Sequence, residues 1–229
     1  MEEAFVTPLD VIRDARRLLQ DTLSPYRYSD DDLLSYVNQA IRRVAVLRPD
    51  LFGVITEIPT TPLSAVQSLP SDALRLIDLF QVRGGAALTE VDRETLSRVN
   101  PGWMAEAAGT PTNFMRHVKN PDRFFLYPAP VSGVVLVGEY ARSPAVYGLA
   151  DTILDLVDAY HPVLVDGVVF LAQSVDDEHV SSGRAKLFLD AFTGTLASSL
   201  QSRVVTDTKA AGLRPRASRR GVVVEGEVI

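Results

Sequence analysis

The sequence predicts an α+β fold. It consists of a four-helix bundle built from N- and C-terminal helical pairs, an inserted antiparallel β module, and an extended C-terminal arm. Three observations carry this. Apolar residues recur at helical spacing before residue 50 and again after residue 160. Between about Val54 and Tyr140 the pattern changes to short β-branched and aromatic runs separated by turn residues. Beyond Val204 both patterns fail. Two helical pairs far apart in sequence most simply share one core. The chain therefore divides into a bundle (1–50 and 150–203), a β module (51–149) and an arm (204–229).

The first helix opens at Thr7, a good N-cap, with Pro8 in the first helical position. Leu9, Ile12, Ala15, Leu19 and Leu23 make its stripe, and Ser24-Pro25 ends it. The second starts at Ser29, with Asp30, Asp31 and Asp32 where the helix dipole favours negative charge. Its buried face is Leu33, Leu34, Val37, Ala40, Ile41, Val44 and Leu47. Arg42, Arg43 and Arg48 lie toward its end, and Pro49 stops it. The strands are Val54–Ile58, Leu74–Val82, Ala86–Val91, Asn113–Val118, Arg123–Tyr127 and Val134–Tyr140. Gly84-Gly85 joins two of them as a tight hairpin and Asn120-Pro121-Asp122 joins two more. Asp92–Val99 reads as a short helix. His161-Pro162 opens another, carrying Leu164, Val165, Val168, Val169, Ala172 and Val175. The last runs from about Val180 to Ser202, with Leu187, Phe188, Ala191, Phe192, Leu196 and Leu200 on one face.

Composition narrows the function. The 229 residues are 46% hydrophobic and 23% charged, which is globular rather than disordered. The absence of cysteine excludes disulfides, thiolate metal sites and a cysteine nucleophile. A formal net charge of −6 argues against a globally basic nucleic-acid binder. Glu2 and Glu3 stand where a signal peptide carries base, and Val163 to Ala172, broken by Asp166, is too short to span a bilayer. A soluble protein without a membrane partner is expected.

No catalytic, metal or cofactor site is expected from the residues. Asp166 follows His161 by five residues, a poor fit to helical ligand pairs. Asp176, Asp177, Glu178 and His179 lack the glycine and spacing of a calcium loop and read as a solvated turn. Ser181 and Ser182 have no strand-to-helix elbow around them. Gly84-Gly85 lacks the lysine and helix of a phosphate loop. Arg123, Phe124, Phe125 and Tyr127 weakly resemble a base-stacking platform. Phe124 must point opposite to Phe125 and Tyr127, so at least one of those faces is core. Arg13, Arg16 and Arg17 read as a solvated face, or as a surface for an acidic partner.

Several stretches, taken in order, resemble a family of phage head–tail adaptor proteins. They are Pro25-Tyr26-Arg27-Tyr28-Ser29-Asp30, Leu33-Leu34-Ser35-Tyr36-Val37-Asn38 and Leu47-Arg48-Pro49-Asp50. Leu69-Pro70 with Leu74-Arg75-Leu76, Val91-Asp92-Arg93 and Asn100-Pro101-Gly102-Trp103 follow. Phe125-Leu126-Tyr127-Pro128-Ala129-Pro130 and the helix from Tyr160 through Asp166 complete the set. The resemblance spans roughly 8 to 200 and matches nothing after Val204. It implies a structural protein of the virion at the head–tail junction, made in the host cytoplasm. Its copies would form a ring, usually of about twelve, under the portal protein. The ring would extend the DNA channel and dock the next tail or nozzle protein. The resemblance implies no enzyme, no cofactor and no catalytic residue. Packaged DNA would pass through the lumen without sequence-specific binding.

The arm is the feature this role would use. Lys209, Arg214, Arg216, Arg219 and Arg220 face Asp207 alone, and Val222, Val223 and Val224 make a strand-prone tip. Free in solution it is expected to lack structure. On assembly its arginines would pair with partner carboxylates, and its tip would add a strand to a sheet edge. Two other readings stand beside the adaptor. One is a DNA-binding module using this basic stretch. The other is a small hydrolase using His161 or His179.

Overall fold

The computed structural model describes residues 6–175 and 183–197. Helix α1 (Pro8–Leu19) starts where the sequence says. The Thr7 hydroxyl accepts from the Asp10 amide, and the Thr7 amide donates to Asp10 Oδ2, each at 3.2 Å. This reciprocal box satisfies amides that a helix start leaves orphaned. The helix stops before the expected Leu23, which is 82% exposed. Gln20 takes the left-handed conformation and caps the end. Asp21 then turns back onto the Arg16 guanidinium at 2.6 Å and accepts the amides of Arg27 and Tyr28.

Helix α2 (Asp30–Leu47) is capped by the Ser29 hydroxyl, which accepts from the Asp32 amide at 3.0 Å. Leu33, Val37, Ala40, Ile41 and Val44 lose all solvent contact, and Leu34 packs against them half-buried. A 3-10 turn (Pro49–Phe52) leads into β1 (Gly53–Pro59), β2 (Val66–Ser68), β3 (Ala73–Val82) and β4 (Thr89–Glu90). Then come α3 (Arg93–Val99), β5 (Asn113–Arg116), β6 (Arg123–Tyr127), β7 (Val135–Arg142) and α4 (His161–Gln173). A further helix, α5, covers 183–197.

The strands form two sheets. In the first, β7 lies between β1 and β3, antiparallel to both. Gly138 sits where β3 is bulged. A Cβ there would lie 2.7 Å from the Asp78 carbonyl oxygen, so only glycine admits this approach. The second sheet has the order β2-β6-β5-β4. Its β2 has no counterpart in the sequence reading. The expected strand Ala86–Val91 is also changed. The turn at Gly84 forms, and the Val82 amide donates to the Ala86 carbonyl at 3.1 Å. The chain stays along β3 as far as Leu88, whose amide donates to the Phe80 carbonyl at 2.9 Å and whose side chain is buried between the sheets, and then contributes only β4, which pairs parallel to β5.

The α+β class stands, but the expected four-helix bundle does not form. There are five helices among the described residues, and α3 lies apart from the helical core on the β module. That core draws on α1, α2, α4 and α5, but also on Phe52, Tyr147, Ile153 and Leu156, which belong to none of them. The physical reason is length: α1 has 12 residues and α4 has 13. They leave apolar surface that a bundle would cover with helix and that the 143–157 loop covers here. Gly167 brings α4 against its neighbours, because a Cβ there would lie 3.0 Å from Ala40 and from Phe192. A second core fills the space between the sheets, with Leu76, Leu79, Phe114, Phe124, Leu126 and Leu136 at its centre. A third, around Trp103, Met115 and Ala129, covers the other face of β5 and β6.

Candidate functional site

The arm residues named above, Lys209, Arg214, Arg216, Arg219, Arg220, Val222, Val223 and Val224, lie outside the described residues, as do His179, Ser181 and Ser182. His161 Nε2 lies 3.1 Å from Asp14 Oδ2, so this histidine ties the start of α4 to α1. Asp166 stands further along α4, and burial pushes its carboxyl above the usual range. Among the described residues no group of three His, Asp or Glu side chains could hold a metal ion. The aromatic strand is buried on one face and partly covered on the other. Phe124 is in the inter-sheet core, while Phe125 and Tyr127 meet Trp103 edge-on at 5.9 and 6.3 Å between ring centres. His117 stacks on Phe125 at 5.5 Å.

Instead, the structure shows a set of charge clamps, two of them built on buried arginines. Arg16 is buried, unlike the exposed Arg13 and Arg17 with which the sequence grouped it. Its guanidinium donates to Asp21 and Asp30 at 2.6 Å each and to the Tyr28 carbonyl at 3.0 Å, with its plane over the Tyr26 ring. Arg48 is also buried. It grips Asp50 with two 2.8 Å bonds and donates to the Leu196 carbonyl at 3.2 Å. Arg116 bridges the two sheets, binding Glu90 at 2.8 Å and the carbonyls of Leu76 and Ile77. Asp155 accepts from Arg142, the Ala145 amide and the Tyr147 hydroxyl. Burial, and then the bond to Asp155, push that hydroxyl up to about 12.

The Arg16 and Arg48 clamps involve stretches singled out in the sequence. Pro25 to Asp30 is the loop folded onto Arg16, and Leu47 to Asp50 is the Arg48 clamp. Asn100 to Trp103 supplies the third core, and Phe125 to Pro130 continues β6. They fix local geometry and bring no nucleophile, base and oxyanion donor together. The burial of Arg16 and Arg48 is the feature that the sequence reading did not convey. Arg16 is four residues after Ile12, one turn along the buried stripe, and that spacing was the available signal.

Among the described residues, open depressions lie on the helical side. One, of about 390 Å³, runs beside Arg13, Arg17, Thr22 and Tyr26. Another, of about 330 Å³, lies between α2 and α5.

A sequence whose marked stretches all build scaffold matches a structural family. The SU10 adaptor protein family matches residues 6–219. The chain belongs to this family. The match extends past Val204 and takes in Lys209, Arg214, Arg216 and Arg219, where the sequence reading found no resemblance. SU10 adaptors are structural phage proteins rather than an enzyme family, so the chain has a phage adaptor role as a component of the virion. No curated protein matches the chain. Among the described residues no helix is long and apolar enough to cross a membrane.

Proposed function

We propose that this adaptor is one subunit of a closed ring at the head–tail junction. The ring, of about twelve copies, sits beneath the portal protein, extends the channel for packaged DNA, and docks the next tail or nozzle protein. The observation that carries this reading is the adaptor-family match over residues 6–219. Charge supports it: a net −6 chain repels phosphate, so DNA slides through the lumen without sticking. The reading needs no cofactor and no catalytic residue. Lys209, Arg214, Arg216, Arg219 and Arg220 pair with partner carboxylates on assembly. Val222, Val223 and Val224 then add a strand to a partner sheet edge.

Imaging the purified chain mixed with its portal tests the reading. A ring of adaptor density capping the portal supports it. A chain that stays monomeric and off the portal, or that a virion reconstruction places in the shell or fibres, overturns it. Truncation after Ser202 tests the arm. If the shortened protein docks on portals as tightly as the full chain, the arm is dispensable.

A further inference from the structure

A ring closed by head-to-tail contacts needs two unlike surfaces on each copy that fit one another. Two such surfaces flank α2. The first is the groove between α2 and α5, where Val46, Leu47, Leu189 and Phe192 make an apolar bed and Arg42 and Arg43 stand at its edge. Val46 is 75% exposed, on the last turns of a helix whose opposite face is core. Neither arginine has an ion-pair partner among the described residues, and Arg43 lies only over the Phe170 ring at 5.2 Å.

The second surface is the loop from 143 to 157, continued by the 3-10 turn Asp158–Tyr160. This loop is held firmly. Asn38 and Tyr147 exchange two hydrogen bonds, Asp155 gathers three donors, and the Ile153 amide donates to the Val6 carbonyl at 2.9 Å. Even so, it presents Val146, Leu154 and Val157 to solvent at 70%, 75% and 68% exposure. Asp151 and Asp158 stand among them, and Asp158 has no ion pair among the described residues.

The two surfaces complement each other. One is apolar and edged with cations, the other apolar and edged with carboxylates. They are also distinct faces of the molecule. Counting from Asn38, which anchors the loop, at about 100° per residue, Arg42, Val46, Arg43 and Leu47 of the groove lie roughly 40°, 80°, 140° and 180° around α2. A head-to-tail contact pairs two such unlike surfaces, one from each copy.

We propose that the α2–α5 groove of one copy receives the 146–158 loop of a second copy. Leu154 and Val157 enter beside Val46 and Phe192, and Asp151 and Asp158 meet Arg42 and Arg43. This rests on the ring reading and names the contact that closes the ring.

The chain has no cysteine, so an engineered pair reports the contact directly. Full-length Val46→Cys and Leu154→Cys proteins are mixed, assembled alone at high concentration and on portal rings, and oxidised mildly. Sedimentation velocity reads association, and non-reducing gels read the link. The mixture is expected to form linked dimers at least tenfold more than either variant alone, because the contact joins unlike surfaces. Arg42→Glu with Arg43→Glu is expected to lower the associated fraction at least tenfold, and an Asp158→Lys partner to restore part of it. Suppose instead that copies associate normally, no Val46–Leu154 link forms, and the charge-reversed protein associates like the wild type. The interface then lies elsewhere: this inference fails and the ring reading survives. If the wild type does not self-associate under either condition, both fail.

Discussion

Asn38 and Tyr147, 109 residues apart in sequence, exchange two hydrogen bonds. The Asn38 side-chain amide donates to the Tyr147 carbonyl at 3.0 Å, and the Tyr147 amide donates to Asn38 Oδ1 at 2.8 Å. Both bonds are buried. Through them α2 supplies, from a side chain, the pairing that the loop backbone would otherwise find in a sheet. Asn38→Leu leaves both backbone groups without a partner, at about 1–3 kcal/mol each. A total loss of roughly 2–6 kcal/mol is expected in urea unfolding. A loss below about 0.5 kcal/mol would show that water reaches the loop and replaces the side chain.

Arg48 holds Asp50 in a two-point fork inside the helical core. Arg48→Ala removes both bonds of the fork and the bond to the Leu196 carbonyl. Asp50 keeps some solvent, so the expected loss is about 2–4 kcal/mol, slightly below that of a fully buried pair. Arg48→Lys should recover less than half, because an ammonium cannot make the fork. Full recovery by lysine would mean that charge alone matters.

Ile41 has no solvent contact and Val46 is mostly exposed, though both lie on α2. Ile41→Ala is expected to cost about 2–5 kcal/mol as a core truncation. Val46→Ala should stay within roughly 0.5 kcal/mol of the parent when the protein is monomeric. Equal effects at the two positions would contradict the buried face.

Asp166 and Tyr147 contribute at opposite ends of the pH profile. Burial raises the Asp166 carboxyl, so the fold favours its protonated form. Stability from this group is fully present below its unfolded pKa and is lost as pH rises through the folded one. Asp166→Asn should therefore raise the melting temperature at pH 7 and lose its advantage at about pH 3. Tyr147 is raised to about 12 by burial first and by Asp155 second. Its contribution is complete below about pH 10 and declines toward pH 12. Tyr147→Phe should flatten that alkaline decline. An unchanged alkaline limb would place the titration in another group.

Trp103 is the single tryptophan and is buried against Phe125 and Tyr127. Its emission should be blue-shifted in the native protein and should move to the red as the β module unfolds. Single-stranded oligonucleotide should leave it unchanged, since Trp103 is buried and Phe125 and Tyr127 pack edge-on against it. Quenching that saturates with oligonucleotide would reopen the stacking reading.

Local chemistry was legible in the sequence alone. Thr7, Ser29 and Asp92 cap helices where their side chains can reach the next turn, and the periods of α2 and β6 show which residues share a face. Those features depend on neighbours within a few residues. Tertiary structure decided what covers each face. The segment after Gly84 buries Leu88 between the sheets and then crosses from the first to the second, and loop residues close the helical core in place of a bundle. Arg13, Arg16 and Arg17 are alike in type and nearly adjacent in sequence. Only Arg16 is buried, because Asp21 and Asp30 converge on it from beyond the end of its helix. A residue's period shows which way it points, but the groups that arrive opposite it come from distant parts of the chain.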